Sequence, residues 1–114
     1  MKKRSENIFP SWKRLTSRRD YLRTWERGKK VHTGFFIIAV AKHDEGPTRL
    51  GVTASKKVGG AVQRNRVKRI VREFFRLNYQ WLDSHTDLSI IAKKGSSALS
   101  YEEVYNELKK VLIG

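Results

Sequence analysis

No glycine or proline interrupts the chain between Ala61 and Leu82, and the residues there separate onto two faces of a helix. With Arg64 set at zero and about 100° per residue, Val67, Ile70, Val71, Phe74, Leu77 and Trp81 fall within roughly 220° to 340°. Arg64, Lys68, Arg72 and Arg76 recur at every fourth position across roughly 0° to 120°, and Asn65 and Arg69 fall with them. Arg66 lies at the edge of the apolar side, and Phe75 lands among the bases. A helix with one apolar arc must bury it against a second layer. The spacing therefore predicts a long helix docked by its apolar side, with a basic stripe turned outward.

That stripe opposes its own helix. Like charges at i, i+4 each destabilise a helix by a few tenths of a kcal/mol, and residues 56–76 hold eight bases against one acid, Glu73. A helix serving only the fold would interleave Glu with Lys. The bases are mostly arginine, whose planar fork pairs bidentately with phosphate oxygens and stacks on bases. Asn65 adds an amide that can meet a phosphate or a base edge. Lys56 and Lys57, ahead of Gly59-Gly60, bring charge to the helix N-terminus, where free N–H groups favour anions. The whole chain, 114 residues with a formal charge of +14, repeats the pattern unevenly. Residues 1–30 hold eleven bases and three acids, whereas residues 83–114 hold four bases and five acids. Such a balance points to a polyanionic partner, nucleic acid before a membrane surface.

Residues 1–14 read as a basic arm and 15–114 as a single domain. Ser17, three residues before Asp20, predicts a helix start, and Gly28 its stop; Tyr21 and Trp25 share one face of that helix. Val31–Ala41 reads as a strand and His43–Pro47 as a turn. Leu50, Val52 and Ala54 alternate with smaller or polar residues, which predicts a second strand and an antiparallel hairpin with the first. Ser84–Asp87 reads as a polar turn and Leu88–Lys94 as a third main strand. Ser100 and Glu103 open a last helix whose Val104, Leu108, Val111 and Leu112 face the core. The expected fold class is α+β, a sandwich of helices packed on a mixed sheet.

The run from Ser55 to Arg69, Ser-Lys-Lys, a glycine, Ala-Val, Arg-Asn-Arg, an apolar residue and Lys-Arg, continuing into "REFFR", closely resembles the signature of the bacterial ribonuclease P protein subunit. "FPSWKRLTSRRDYLRTWERG", "RLGVTASKK", "LSIIAKKG" and "SYEEVYNEL" resemble other parts of the family, so the likeness covers nearly the whole chain after its first eight residues. The resemblance implies the order α-β-β-β-α-β-α, resembling a ribosomal-protein domain, with a left-handed crossover at the long helix. It implies a catalytic RNA as partner and precursor tRNA as substrate, whose 5′ leader is removed by an endonuclease whose catalytic centre is in the RNA. RNA binding is expected at Lys56, Lys57, Arg64, Asn65, Arg66, Lys68, Arg69, Arg72 and Arg76. Leader binding is expected at Tyr21, Trp25 and Phe36, since aromatic platforms beside positive charge hold single strands whatever their sequence. Ala39 stands where some members carry another aromatic.

No catalytic residue is expected in the chain itself. His32, His43 and His85 are scattered without metal-ligand spacing, Asp44-Glu45 reads as a turn pair and Glu102-Glu103 as a helix cap. No metal site or cofactor is expected on the protein alone; Mg2+ is expected in the ribonucleoprotein. The absence of cysteine excludes disulfides and thiolate metal sites and favours a reducing cytoplasm. No signal peptide or membrane span is expected, nor a small-molecule substrate. Two alternatives remain open to experiment: another RNA-binding module such as a ribosome-associated protein, and a metal-dependent nuclease acting alone.

Overall fold

A computed structural model describes residues 12–15, 17–43, 47–82 and 85–113. In chain order the elements are β1 (Trp12–Arg14), α1 (Arg18–Arg27), β2 (Lys29–His32), β3 (Phe36–Lys42), β4 (Thr48–Ala54), α2 (Ala61–Asn78), β5 (Thr86–Ala92) and α3 (Tyr101–Leu112). Short 3₁₀ turns follow α2 and precede α3. The order from α1 onward is α-β-β-β-α-β-α, as the resemblance implies; β1, from the end of the segment read as an arm, adds an edge strand. The first eleven residues of that arm lie outside the described residues.

The five strands form one mixed sheet in the order β1-β4-β5-β3-β2. β1 and β4 are parallel, as are β4 and β5; β3 runs antiparallel to both β5 and β2. This corrects the expected hairpin. The strands at Phe36–Lys42 and Thr48–Ala54 are not partners, because β5 lies between them. β5 is buried on both faces, the mark of a central strand. Its buried start, Thr86 and Asp87, also corrects the polar turn expected at Ser84–Asp87. The actual hairpin is β2–β3, so the single strand expected from Val31 to Ala41 is two. Thr33 makes the break: its hydroxyl accepts from the amides of Phe35 at 3.3 Å and Phe36 at 3.0 Å, and its own N–H donates to the Phe36 carbonyl. A side chain that satisfies the backbone in this way favours a turn over continued pairing.

The sheet has two different faces. Leu50, Val52 and Ala54 of β4, Leu88, Ile90 and Ala92 of β5, and Phe36 and Ile38 of β3 point into the main core. There they meet Val67, Val71, Phe74 and Phe75 of α2 and Val104 and Leu108 of α3. On the opposite face the cross-strand row Ala39, Ser89 and Gly51 is made of small residues, and α1 crosses it. Gly51 shows how close α1 comes. A Cβ there would sit 2.5 Å from the ring of Tyr21, so the tyrosine lies directly on the strand backbone.

The helix starts follow the sequence. The Ser17 hydroxyl accepts from the Asp20 amide at 3.1 Å, and Ser100 and Glu103 cap one another's backbone N–H groups. Before α2, Gly59 takes a φ of 147°, where a side chain would be strained and its Cβ would strike Gln63. Gln63 in turn accepts from the Gly60 amide at 3.0 Å.

Candidate nucleic-acid interface

The burial of α2 differs from the simple wheel. Val67, Val71, Phe74 and Phe75 are buried, while Leu77 is 46% exposed. The buried direction is therefore turned by roughly 45° toward the basic side of the wheel. Exchanging Leu77 for Phe75 in the core removes more apolar surface from water, which explains the turn. It also covers Phe75, whose burial the wheel left open. Trp81, expected on the same helix, lies in the following 3₁₀ turn and is 52% exposed.

The rotation sorts the basic residues. Asn65, Arg69 and Arg76 stand fully outside, whereas Arg64, Lys68 and Arg72 lie half-buried along the flank of the helix. Lys56 and Lys57 are exposed in the turn that leads into it. Arg64 has its Nε buried with no hydrogen-bond acceptor among the described residues. A buried donor left unpaired costs about 1–3 kcal/mol, which an incoming phosphate oxygen would relieve. Burial lowers the Arg72 pKa from its ordinary value; the charge of nearby Arg14 acts the same way, and Tyr21 acts against both. Arg72 thus lies between the basic flank of α2 and the tyrosine of α1.

Two of the expected RNA-binding arginines have partners inside the protein. Arg66 Nη1 donates to the carbonyls of Ser97 at 2.7 Å and Leu99 at 2.9 Å, clamping the loop before α3. Arg76 forms a two-pronged pair with Glu73, Nε to Oε1 at 3.0 Å and Nη2 to Oε2 at 2.6 Å. That hydrogen bonding holds the Glu73 carboxyl below its ordinary value and raises Arg76. Among the described residues, no other base of the expected set is bound to a carboxylate.

On the α1 side, Tyr21 and Trp25 are half-exposed, and Tyr21 lies against the β4 backbone at Gly51. Strand alternation places Ile37, Ile91 and Thr53 in the neighbouring row of the same face, with the isoleucines half-buried and Thr53 exposed. Lys30 Nζ sits 5.2 Å from the centre of the Trp25 ring, a cation–π contact. Phe36 is a correction. It is fully buried in the core on the far face of the sheet, whereas its neighbour Ile37 lies half-buried on the α1 face. The pleat sends neighbours to opposite faces, and the split at Thr33 sets a register that the run of apolar residues conceals. Ala39 is also fully buried, in the small-residue floor beneath α1.

Comparison with known proteins accounts for this combination. The Ribonuclease P family model matches residues 9–113. The chain belongs to the ribonuclease P protein family. The protein component from Desulforapulum autotrophicum is 44% identical over 103 residues, covering 90% of this chain and 88% of that one. That from Syntrophus aciditrophicus is also 44% identical, covering 87% and 83%. The solved ribonuclease P protein of Thermotoga maritima superposes with a TM-score of 0.79 at 32% identity, covering 88% and 94%. That of Staphylococcus aureus superposes at 0.78 and 28% identity, covering 86% and 90%. The function is that of a protein subunit of ribonuclease P, which acts with an RNA to remove the 5′ leader of precursor tRNA; catalysis rests on the RNA.

Within this ribonuclease P protein the scattered histidines are partly brought together. The rings of His43 and His85 lie 6.2 Å apart, and His43 Nε2 is 3.2 Å from Asp87. Arg49 grips the same carboxylate, Nε to Oδ1 at 2.9 Å and Nη2 to Oδ2 at 2.7 Å, and reaches Asp20 of α1 with Nη1 at 3.1 Å. The bonds to Asp87 hold the Arg49 pKa above its ordinary value. This network ties α1 to the sheet. It engages Asp20 and Asp87 with a cation, and among the described residues no group of three or more His, Cys, Asp or Glu could hold a metal ion. No helix among the described residues is long and apolar enough to cross a membrane.

Proposed function

We propose that this protein divides its two RNA contacts between the two sides of the sheet. The basic side of α2, with Lys56, Lys57, Arg64, Asn65, Lys68, Arg69 and Arg72, holds the phosphates of the catalytic RNA. The trough of Tyr21, Trp25, Ile37 and Ile91 holds the single-stranded leader of the precursor. Arg72, beside both Arg14 and Tyr21, joins the two sites into one cationic path. The observation that carries the reading is the stripe itself: of the outward bases on α2, Arg76 alone is neutralised by a carboxylate among the described residues. Arg66 serves chiefly as a clamp, and Arg76 contributes only what Glu73 leaves it.

The trough suits a leader of any sequence, because stacking on Tyr21 and Trp25 uses the face that every base has, at about 1–3 kcal/mol per stacked base. Lys30 above Trp25 supplies charge for the adjoining phosphate. We place the Mg2+ expected in the ribonucleoprotein with the RNA, since among the described residues Asp20 and Asp87 are both bound to Arg49. Such a Mg2+ site would supply the charge stabilisation of phosphodiester displacement. The protein lowers repulsion between two RNAs and positions the leader. We assign this work to the cytoplasm, where both RNA partners of the proposed function would be met.

Reconstitution with a bacterial ribonuclease P RNA at low magnesium tests the division. The triple substitution of Arg64, Lys68 and Arg69 by Ala should weaken assembly with the catalytic RNA and flatten its salt dependence by about 2 to 3 units of slope. Tyr21→Ala with Trp25→Ala should instead weaken precursor binding and spare the mature tRNA. An unchanged slope in the first variant would remove the α2 assignment, and equal losses on precursor and mature tRNA in the second would remove the trough.

A further inference from the structure

The outer face of α1 carries four arginines that no contact within the described residues explains. Arg18, Arg19, Arg23 and Arg27 are exposed and, with Glu26, line a shallow open depression around Leu22, which is 48% exposed. None of the four side chains has a hydrogen bond or ion pair among the described residues. Arg18 and Arg19 occupy the first turn, where the helix dipole disfavours cations. Arg19, Arg23 and Arg27 then repeat at i, i+4, where like charges oppose one another. The acid that could offset them, Asp20, points to the sheet and is bound by Arg49 at 3.1 Å. Arg27 alone gains from its place, in the last turn.

We propose that this face is a second seat for RNA phosphates, occupied by the 5′-distal nucleotides of the precursor's leader after they leave the trough. The inference rests on the trough reading above. The same helix supplies the trough wall through Tyr21 and Trp25 and the arginine row through its outer side. At about 100° per residue Arg18 lies roughly 20° and Leu22 roughly 60° around the helix from Trp25, so a strand passing over Trp25 meets them next. Successive arginines of the row are about 6 Å apart along the axis, a spacing comparable to that of neighbouring phosphates on a single strand. Leu22 offers a base an apolar surface between them. α2 packs on the other face of the sheet and meets the α1 side only at Arg72, next to Tyr21, so catalytic RNA held on α2 would have to cross the gap that the trough occupies to reach the arginine row. A flexible leader already lying against α1 has no such gap to cross.

The test uses the reconstituted ribonucleoprotein and precursors whose leaders are lengthened one nucleotide at a time. With the natural chain, affinity should rise as the trough fills and rise again as distal nucleotides reach α1. Arg19→Ala with Arg23→Ala should keep the first rise and lose the second. For the longest leader the loss should be about fivefold at moderate salt, with a salt slope smaller by about 1.4 for two lost single-strand contacts. Arg19→Lys with Arg23→Lys should retain most of the second rise. A wild-type curve with no second rise, or equal losses for short and long leaders, overturns the proposal. So does weakened assembly with the catalytic RNA, which would make that RNA the occupant. Failure of the trough reading looks different: Tyr21→Ala with Trp25→Ala would then leave the first rise intact.

Discussion

The two faces of the sheet are completed by opposite means. One is closed by interlocking apolar side chains from β3, β4, β5, α2 and α3. The other is a floor of small residues, Ala39, Ser89 and Gly51, on which one tyrosine ring rests and to which an ion network fastens α1. The first arrangement buries apolar surface and leaves only the outer side of α2 for a ligand. The second spends little apolar material and leaves a half-open trough. On the proposed division, stability and leader capture are separable, since they rest on different sides of the same strands.

The largest effect should come from the closed face. Phe74 is fully buried and its ring meets Tyr105 at 5.8 Å, so Phe74→Ala should cost about 3–5 kcal/mol in urea unfolding, with both RNA contacts failing together. On the open face, Asp87→Asn keeps the side chain's shape but removes the charge that Arg49 grips. Arg49 is partly exposed, so water offsets some of the loss and about 2–3 kcal/mol is expected. Because Arg49 also holds Asp20, this variant should lose more affinity for precursor than for catalytic RNA. Equal losses would show that the two faces are not separable.

Gly51→Ala separates them most cleanly. The added methyl would meet the Tyr21 ring at 2.5 Å, so the ring must swing toward the half-open edge or α1 must lift. Overpacking of this kind costs about 1–3 kcal/mol. The lower half of that range is expected, because the ring lies at a half-open edge. The main core lies on the far side of β4, so assembly with the catalytic RNA should be nearly unchanged while the preference for precursor over mature tRNA falls. Retained preference would mean that Tyr21 does not need its seat on Gly51.

Much of this could be read from the residues, and the failures have physical causes. The amphipathic spacing of α2, the Ser17 and Ser100 caps and the stripe of α3 are local signals, and the structure has them where expected. The basic side of α2 was legible for the same reason. Strand pairing was not, because two runs joined by a short turn look like a hairpin until a later strand is known to enter between them. The Thr33 break lies just ahead of the apolar run Phe35–Ala41, which gives no alternation to read. Phe36 was misplaced by that one-residue ambiguity, and Ile37 and Ile91 were missed with it. The network of Arg49, Asp87, Asp20 and His43 joins residues far apart in the chain, and no local pattern announces it. Arg66 looked like its neighbours because its carbonyl partners, Ser97 and Leu99, lie in a loop about thirty residues away.

The smallest effect should appear on the α2 side, at its only described internal ion pair. Glu73 holds Arg76 in an exposed two-pronged contact, and such pairs add little to stability. For the proposed RNA binding the same contact is a handicap, since it occupies a guanidinium and places a negative charge among the bases of α2. Glu73→Gln should leave unfolding nearly unchanged and tighten assembly with the catalytic RNA by about two- to threefold at low salt. The gain has a defined pH dependence. Hydrogen bonding to Arg76 holds the Glu73 carboxyl below its ordinary value, so the pair is intact above the usual carboxylate range and is lost as pH falls through that lowered value. Wild type and variant should therefore differ at neutral pH and converge only in acid below the range of an ordinary glutamate. A variant that binds no better at neutral pH would show that Arg76 stands outside the RNA footprint, which would then end near Arg72.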